Sequence, residues 1–165
     1  MSRALLSVGS NLGDRLATLR AVAGALSPVL LRSSSVYETE PWGDAGQPGY
    51  LNAALLVEGE ADWLVVARQL ESDARRVRDP ERQYGPRTLD VDVIMVWDPD
   101  PVLSADPELT LPHPRAHLRA FVLVPWLEID PGAELPGHGT VAALLDTPAL
   151  AADARGVLRI GTLKA

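Results

Sequence analysis

At 165 residues and a net charge of −7, the chain is long enough to bury one core and too acidic to bind nucleic acid or membranes non-specifically. It has no cysteine, which excludes disulfides and thiolate metal sites, and no apolar run approaches the length that spans a bilayer. The apolar stretch after Arg3 is short and interrupted by Ser7, Gly9 and Asn11, so it does not read as a secretory signal, and the expected location is cytoplasmic.

Ala4 to Val8, bounded by Gly9 and Asn11, is expected as a first strand. Asp14 is placed to cap a helix whose stripe is Leu16, Leu19, Ala23 and Leu26 and which ends near Pro28. Arg32 to Glu40 alternates loosely and stops at Pro41, giving a second strand. Pro41 to Gly49 holds three glycines and two prolines and reads as a loop. Tyr50 to Glu58 is a third strand. Ala61 to Arg78 is a second helix, with Leu64, Ala67, Leu70, Ala74 and Val77 on one face. Asp79 to Pro86 is a polar loop, and Thr88 to Trp97 a fourth strand. The order βαββαβ predicts an α+β sandwich of the ferredoxin-like type, an antiparallel sheet with helices packed on one face, in a single domain over 1–165. Further on, Asp98 to Pro107 is a proline- and aspartate-rich turn region, and His117 to Glu128 is expected to hold a short helix and a further strand. Beyond Pro131 the proline, glycine and alanine content gives no periodic signal.

The chemistry concentrates between Arg76 and Val96. Arg76, Arg78, Arg82 and Arg87 precede Asp90 and Asp92, which enter an apolar run. Guanidinium forks bind polyphosphate oxygens in a bidentate way. Two carboxylates two apart on a strand point to one side. Hard oxygen ligands so placed suit Mg²⁺, which takes one or two carboxylates and completes its shell with water and phosphate. An isolated Asp-x-Asp is more often a solvated strand face, but aspartate is disfavoured in strands and here stands beside a phosphate clamp. Lys164 is the only lysine and no Gly-Lys-Ser/Thr exists, so a nucleotide would be held without a P-loop. Composition bias can explain scarce lysine. It does not explain why six arginines fall between Arg68 and Arg87. Arg75 and Arg76 also fit as cations at a helix C-terminus. Glu71 sits at the edge of the second helix's apolar face, where a salt bridge to Arg75 at i+4 is a competing reading.

Four ordered blocks carry a resemblance. They are Ser-Val-Gly-Ser-Asn-Leu-Gly-Asp-Arg (7–15), Tyr-Glu-Thr-Glu-Pro-Trp-Gly with Gln-Pro-Gly-Tyr-Leu-Asn-Ala-Ala (37–54), Arg-x-Arg with Tyr-Gly-Pro-Arg-Thr-Leu-Asp-Val-Asp (76–92), and Leu-Thr-Leu-Pro-His-Pro-Arg with Arg-Ala-Phe-Val-Leu-Val-Pro (109–125). Together, over about residues 5–130, they resemble the 6-hydroxymethyl-7,8-dihydropterin pyrophosphokinases of the folate pathway, leaving 131–165 as a C-terminal extension. The resemblance implies the same ferredoxin-like core with added C-terminal elements. It also implies transfer of pyrophosphate from ATP to the pterin hydroxymethyl group, with release of AMP.

By that resemblance Asp90 and Asp92 hold two Mg²⁺. Arg76, Arg78, Arg82, Tyr84, Arg87, His113, Arg119 and Glu71 bind the nucleotide, with Arg78 and Arg87 counted as catalytic beside the aspartates. Thr39, Trp42, Tyr50, Asn52 and Phe121 bind the pterin, Asn52 reading its edge and Tyr50 and Phe121 sandwiching the ring. A flat heteroaromatic needs such stacking faces and a fixed amide partner. Trp63 and Trp126 read as core. One departure stands out: the family often has arginine directly before the aromatic, whereas here Gln83 precedes Tyr84 and Arg82 lies one residue earlier. The expected partners are ATP and the pterin alone, without nucleic acid or membrane, on a monomer. A metal-dependent nucleotide hydrolase would have no use for the aromatic set around Asn52, and a ligand-binding regulatory module would not need Asp90, Asp92 and Arg87 together.

Overall fold

In the computed structural model, which describes residues 1–39, 49–76 and 89–164 and leaves the side chain of Arg76 aside, the sheet is built around strand β1 (Ser2–Ser10). Its Ala4, Leu6 and Val8 face one core and Leu5 faces another, the alternation a strand buried on both sides requires. Helix α1 (Arg15–Ala25) follows, and Asp14 caps it as expected by accepting from the Ala17 N–H at 3.1 Å. The expected second strand is two strands, β2 (Leu30–Ser33) and β3 (Ser35–Thr39), both paired with β4 (Tyr50–Gly59). Ser34 separates them, because its hydroxyl takes the Ala54 N–H at 2.8 Å that the sheet ladder would otherwise use.

Helix α2 (Trp63–Arg76) packs Trp63, Ala67 and Leu70 into the first core, and β5 (Leu89–Trp97) then pairs with β1. The sheet runs β3–β4–β1–β5, every pairing antiparallel, with the first and third strands of the βαββαβ order side by side. That is the expected ferredoxin-like arrangement. The loops 41–48 and 79–86 lie outside the described residues.

Three expectations are corrected downstream. The turn region after Asp98 contains a small hairpin, β6 (Ser104–Asp106) with β7 (Leu109–Leu111). His117 to Glu128 holds no strand. A short 3-10 turn, Ala116–Leu118, leads into α3 (Ala120–Ile129). The reason is burial: α3 is apolar on nearly every side and lies between the sheet and later helices, so it shows no 3.6 period, and a short apolar run cannot be assigned by periodicity alone. Last, the C-terminal stretch is ordered into β8 (Glu134–Leu135), β9 (Gly139–Thr140), α4 (Val141–Leu145), α5 (Pro148–Ala154) and β10 (Leu158–Thr162). Strand β10 joins the main sheet beside β3. Helices therefore cover both faces, α1 and α2 one, α3 to α5 the other. Trp126, 1% exposed, anchors the second core. Among the described residues no helix is long and apolar enough to cross a membrane.

Candidate active site

The second face of the sheet is left uncovered by helix at one end, beyond the start of α3, and the polar residues collect there. Register explains how. Gly9 of β1 stands opposite Asn52 of β4 on one side and Asp90 of β5 on the other, and Tyr37 of β3 stands opposite Asn52. Residues paired across an antiparallel ladder share a face, so Tyr37, Asn52, Gly9 and Asp90 form one lateral row. Ser7 pairs with Asp92 in the next row, which places both aspartates on this face while Leu89, Val91 and Val93 enter the first core.

Asp90 has its carboxyl pKa raised, first by burial and then by the charge of Asp92, with Arg119 and Arg75 opposing. Two neighbouring carboxylates that repel each other at the open surface form a site which a hard cation relieves, so the donor set fits magnesium. Arg119 stands at the N-cap position of α3 and reaches to Asp92, its Nη1 lying 3.7 Å from Asp92 Oδ2 and its guanidinium carbon 5.5 Å from the centre of the Phe121 ring. One guanidinium thus joins the carboxylate and aromatic halves of the site.

His113 is held by its backbone. Its N–H donates to the Ile94 carbonyl at 2.9 Å, and its Nδ1 accepts from the Arg115 N–H at 3.1 Å. Burial lowers its pKa, Asp92 opposes that, and Arg119 and Arg115 add to it. A neutral ring with an acceptor at Nδ1 carries its proton on Nε2, a tautomer assigned from the bonding pattern. His113 is therefore a neutral donor.

Glu71 stands on the opposite side of β5. Its Oε2 accepts the Val91 N–H at 3.1 Å, and its pKa is raised by burial, with Asp90 and Asp92 adding to the shift and the Val91 bond and Arg75 opposing it. So its main partner is the strand edge, and Arg75 is a weaker electrostatic neighbour.

On the other flank, Asn52 is 5% exposed and donates from Nδ2 to Thr39 Oγ1 at 3.3 Å. Tyr50, 36% exposed, shares its face, and Phe121 is half-buried at the start of α3, beneath Arg119. The structure thus brings together Thr39, Tyr50, Asn52, Asp90, Asp92, His113, Arg119 and Phe121, with Glu71 at the edge. Trp42, Arg78, Arg82, Tyr84 and Arg87, and the side chain of Arg76, lie outside the described residues.

Two participants escape the sequence reading. Gly9 leaves the Asn52 amide its room: a Cβ there would stand 2.9 Å from Asn52 Oδ1. Its signal was available, since a lone glycine in a strand marks a close approach. Arg15 donates to Glu38 Oε2 at 2.7 Å and to the Gly49 carbonyl at 2.5 Å, tying the start of α1 to the strand ends beside the site. Nothing local in the sequence announces that contact.

Comparison with known proteins gives three kinds of match. Residues 5–131 match the family described as 7,8-dihydro-6-hydroxymethylpterin-pyrophosphokinase (HPPK). The 2-amino-4-hydroxy-6-hydroxymethyldihydropteridine pyrophosphokinase of Mycobacterium tuberculosis is 47% identical over 149 residues, covering 84% of this chain and 78% of that protein. The Haemophilus influenzae protein of the same name is 34% identical over 152 residues, covering 88% and 92%. Among solved structures, a Plasmodium falciparum HPPK-DHPS matches with a TM-score of 0.61 at 14% identity, and a second HPPK-DHPS, in complex with substrates, with 0.58 at 10%. Each covers 87% of this chain, which spans only 43% and 42% of theirs, and at such identities the likeness is one of fold.

Proposed function

The chain belongs to the 7,8-dihydro-6-hydroxymethylpterin-pyrophosphokinase family, and from that premise we propose a division of labour among the residues at the open end of its sheet. It is an ATP-dependent transferase of folate biosynthesis. The hydroxymethyl oxygen of 6-hydroxymethyl-7,8-dihydropterin attacks the β-phosphorus of ATP, the bond to the α-phosphate bridging oxygen breaks, and AMP leaves. The family uses Mg²⁺ with ATP.

The observation that carries the site assignment is the lateral row. Asn52 and Asp90 lie two strands apart on one face, with a glycine between them. Two strand spacings are on the order of 10 Å, comparable to the long dimension of a bicyclic pterin with its one-carbon arm. With its edge on Asn52 and Thr39 and its ring between Tyr50 and Phe121, the pterin directs its hydroxymethyl group at the aspartates. Asp90 and Asp92 would hold the magnesium, two ions in our reading. When bound, the metal supplies charge neutralisation for the triphosphate and a lowered pKa for the attacking hydroxyl.

The protein's own part is positioning and electrostatics, which is most of phosphoryl-type catalysis. Arg119 stands between the carboxylates and the aromatic wall, where charge builds as the β-phosphorus bonds change. His113 offers its Nε2 proton to a phosphate oxygen without changing the charge of the site. Arg76, Arg78, Arg82 and Arg87 complete the phosphate clamp, with Tyr84 and Glu71 on the nucleotide. In this reading all these residues come from one chain, so a monomer suffices.

Product analysis tests the assignment. The protein with ATP, Mg²⁺ and the dihydropterin is expected to give AMP only when pterin is present, and Asp92→Ala is expected to lose at least about 100-fold in rate, the scale of removing one electrostatic stabiliser. AMP formation undiminished in Asp92→Ala would remove the aspartates from the mechanism. ADP released without pterin would point to hydrolysis instead.

A further inference from the structure

Glu128, near the end of α3, makes a cluster of bonds that neither the core nor the phosphate chemistry accounts for. Both of its carboxylate oxygens accept the Ser35 N–H at 3.0 Å, Oε2 also accepts the Ser35 hydroxyl at 3.0 Å, and Oε1 accepts the Tyr37 hydroxyl at 2.6 Å. Hydrogen bonds to an ionised acceptor are the short, strong ones, and this carboxylate spends its capacity on two residues of a single strand.

Those residues are not arbitrary. Ser35, Tyr37 and Thr39 alternate onto the same face of β3. Tyr37 stands opposite Asn52, and Thr39 accepts from the Asn52 amide. On the helix side, Glu128 lies seven residues after Phe121. Seven residues are two turns, about 10 Å, so both side chains project from the same side of α3. Arg32 adds a second tie at that end, donating to the Ile129 carbonyl at 2.8 Å.

We propose that Glu128 is a positioning residue for the pterin site: by gripping Ser35 and Tyr37 it fixes the helix that carries Phe121 against the β3–β4 pair that carries Thr39, Tyr50 and Asn52, and so sets the width of the slot between Phe121 and those residues. The inference rests on the assignment of Asn52, Tyr50 and Phe121 to the pterin. Tyr37 suits the task. Burial, the hydrogen bond to Glu128 and that carboxylate's charge push its hydroxyl up to about 12 against the opposing Arg159, so it remains a donor at any working pH.

A merely structural tie would weaken both ligands or neither, whereas a slot-setting tie acts on the pterin alone. Titration calorimetry on the full chain, with the dihydropterin and separately with Mg²⁺ and α,β-methylene-ATP, separates the two. Glu128→Ala is expected to raise the pterin Kd about tenfold, equivalent to about 1.4 kcal/mol, and to leave the analogue's Kd within about twofold. Glu128→Gln, which keeps one of the two acceptor oxygens, is expected to recover part of the loss. Equal weakening of both ligands, or no weakening of either, overturns the proposal. If Glu128→Ala does not fold, Tyr37→Phe must show the same selective loss, and unchanged pterin binding there overturns it equally. Asn52→Ala keeps the two levels apart. If it leaves pterin binding intact, the site assignment fails. If it abolishes pterin binding while Glu128→Ala and Tyr37→Phe do not weaken it, only the inference about Glu128 fails.

Discussion

Gly9→Ala probes the centre of the row with the smallest possible change. Gly9 does not adopt a positive φ, so alanine brings no backbone strain there. What it brings is one carbon, 2.9 Å from Asn52 Oδ1, 3.6 Å from the Leu51 carbonyl oxygen and 3.9 Å from Tyr50 Cδ1. Carbon–oxygen contacts are comfortable from about 3.3 Å, so the amide must retreat by about half an ångström. Its bond to Thr39 is already 3.3 Å long, beyond the usual range, and has little left to give. Losing that bond and misaligning the amide against the pterin edge costs about 1–2 kcal/mol, a 5- to 30-fold loss of affinity. Pterin binding followed by calorimetry should show that loss, with Mg²⁺–ATP-analogue affinity unchanged and the melting temperature within a few degrees of wild type. A folded Gly9→Ala protein that binds pterin within twofold of wild type would refute the reasoning, because the Asn52 amide would then be free either of the row or of the ligand.

Leu123 of α3 is fully buried against the sheet, and Leu123→Ala should destabilise by about 2–5 kcal/mol, read by urea unfolding. A loss below about 1 kcal/mol would mean that this face of the sheet is not a packed core. Glu71→Ala removes the acceptor of the buried Val91 N–H and should cost about 1–2 kcal/mol, while Glu71→Gln, which keeps an acceptor, should cost little in the same unfolding experiment. Tyr37 is 9% exposed and its hydroxyl is raised from 10.0 to about 12, so its contribution to stability is whole below pH 10 and disappears as pH rises towards 12. Two units correspond to about 2.7 kcal/mol, which solvent near the hydroxyl reduces to about 1–2 kcal/mol. Wild type should therefore lose that much more stability than Tyr37→Phe between pH 9 and 12, and parallel curves would contradict it.

Much of this was legible because local chemistry and global fold agree. Asp14 reads as a cap and is one. The i, i+2 aspartates read as one face, and the register with Ser7 and Gly9 puts them there. What was not legible depends on partners distant in sequence. The break at Ser34 needs Ala54, and nothing in a run of three serines says where a strand stops. Helix α3 is apolar all round because the sheet and α4 and α5 both cover it, which erases the period that would identify it. Strand β10 finds its place only beside β3, more than a hundred residues earlier. Glu128 falls under the same heading: a glutamate late in an apolar stretch reads as a solvated end, and its four bonds exist only once β3 lies against α3.

Strand β5 shows why the site sits where it does. It is the edge of the sheet on that side, with one row of backbone groups turned away from β1, and exposed edges invite pairing with other chains. Among the described residues, three of those groups find partners. Glu71 takes the Val91 N–H, His113 donates to the Ile94 carbonyl, and Val102 donates to the Val96 carbonyl. Two of these three protecting residues are the ones assigned to the nucleotide. Protecting the edge therefore carries Glu71 from α2 and His113 from the segment after β7 to either flank of Asp90 and Asp92, and a central strand would have had no free backbone to recruit them. The aspartates discourage edge pairing by their charge, and the same charge makes the edge a seat for cations. In this fold, keeping β5 from pairing with a second chain and assembling a place for a charged triphosphate are met by the same contacts.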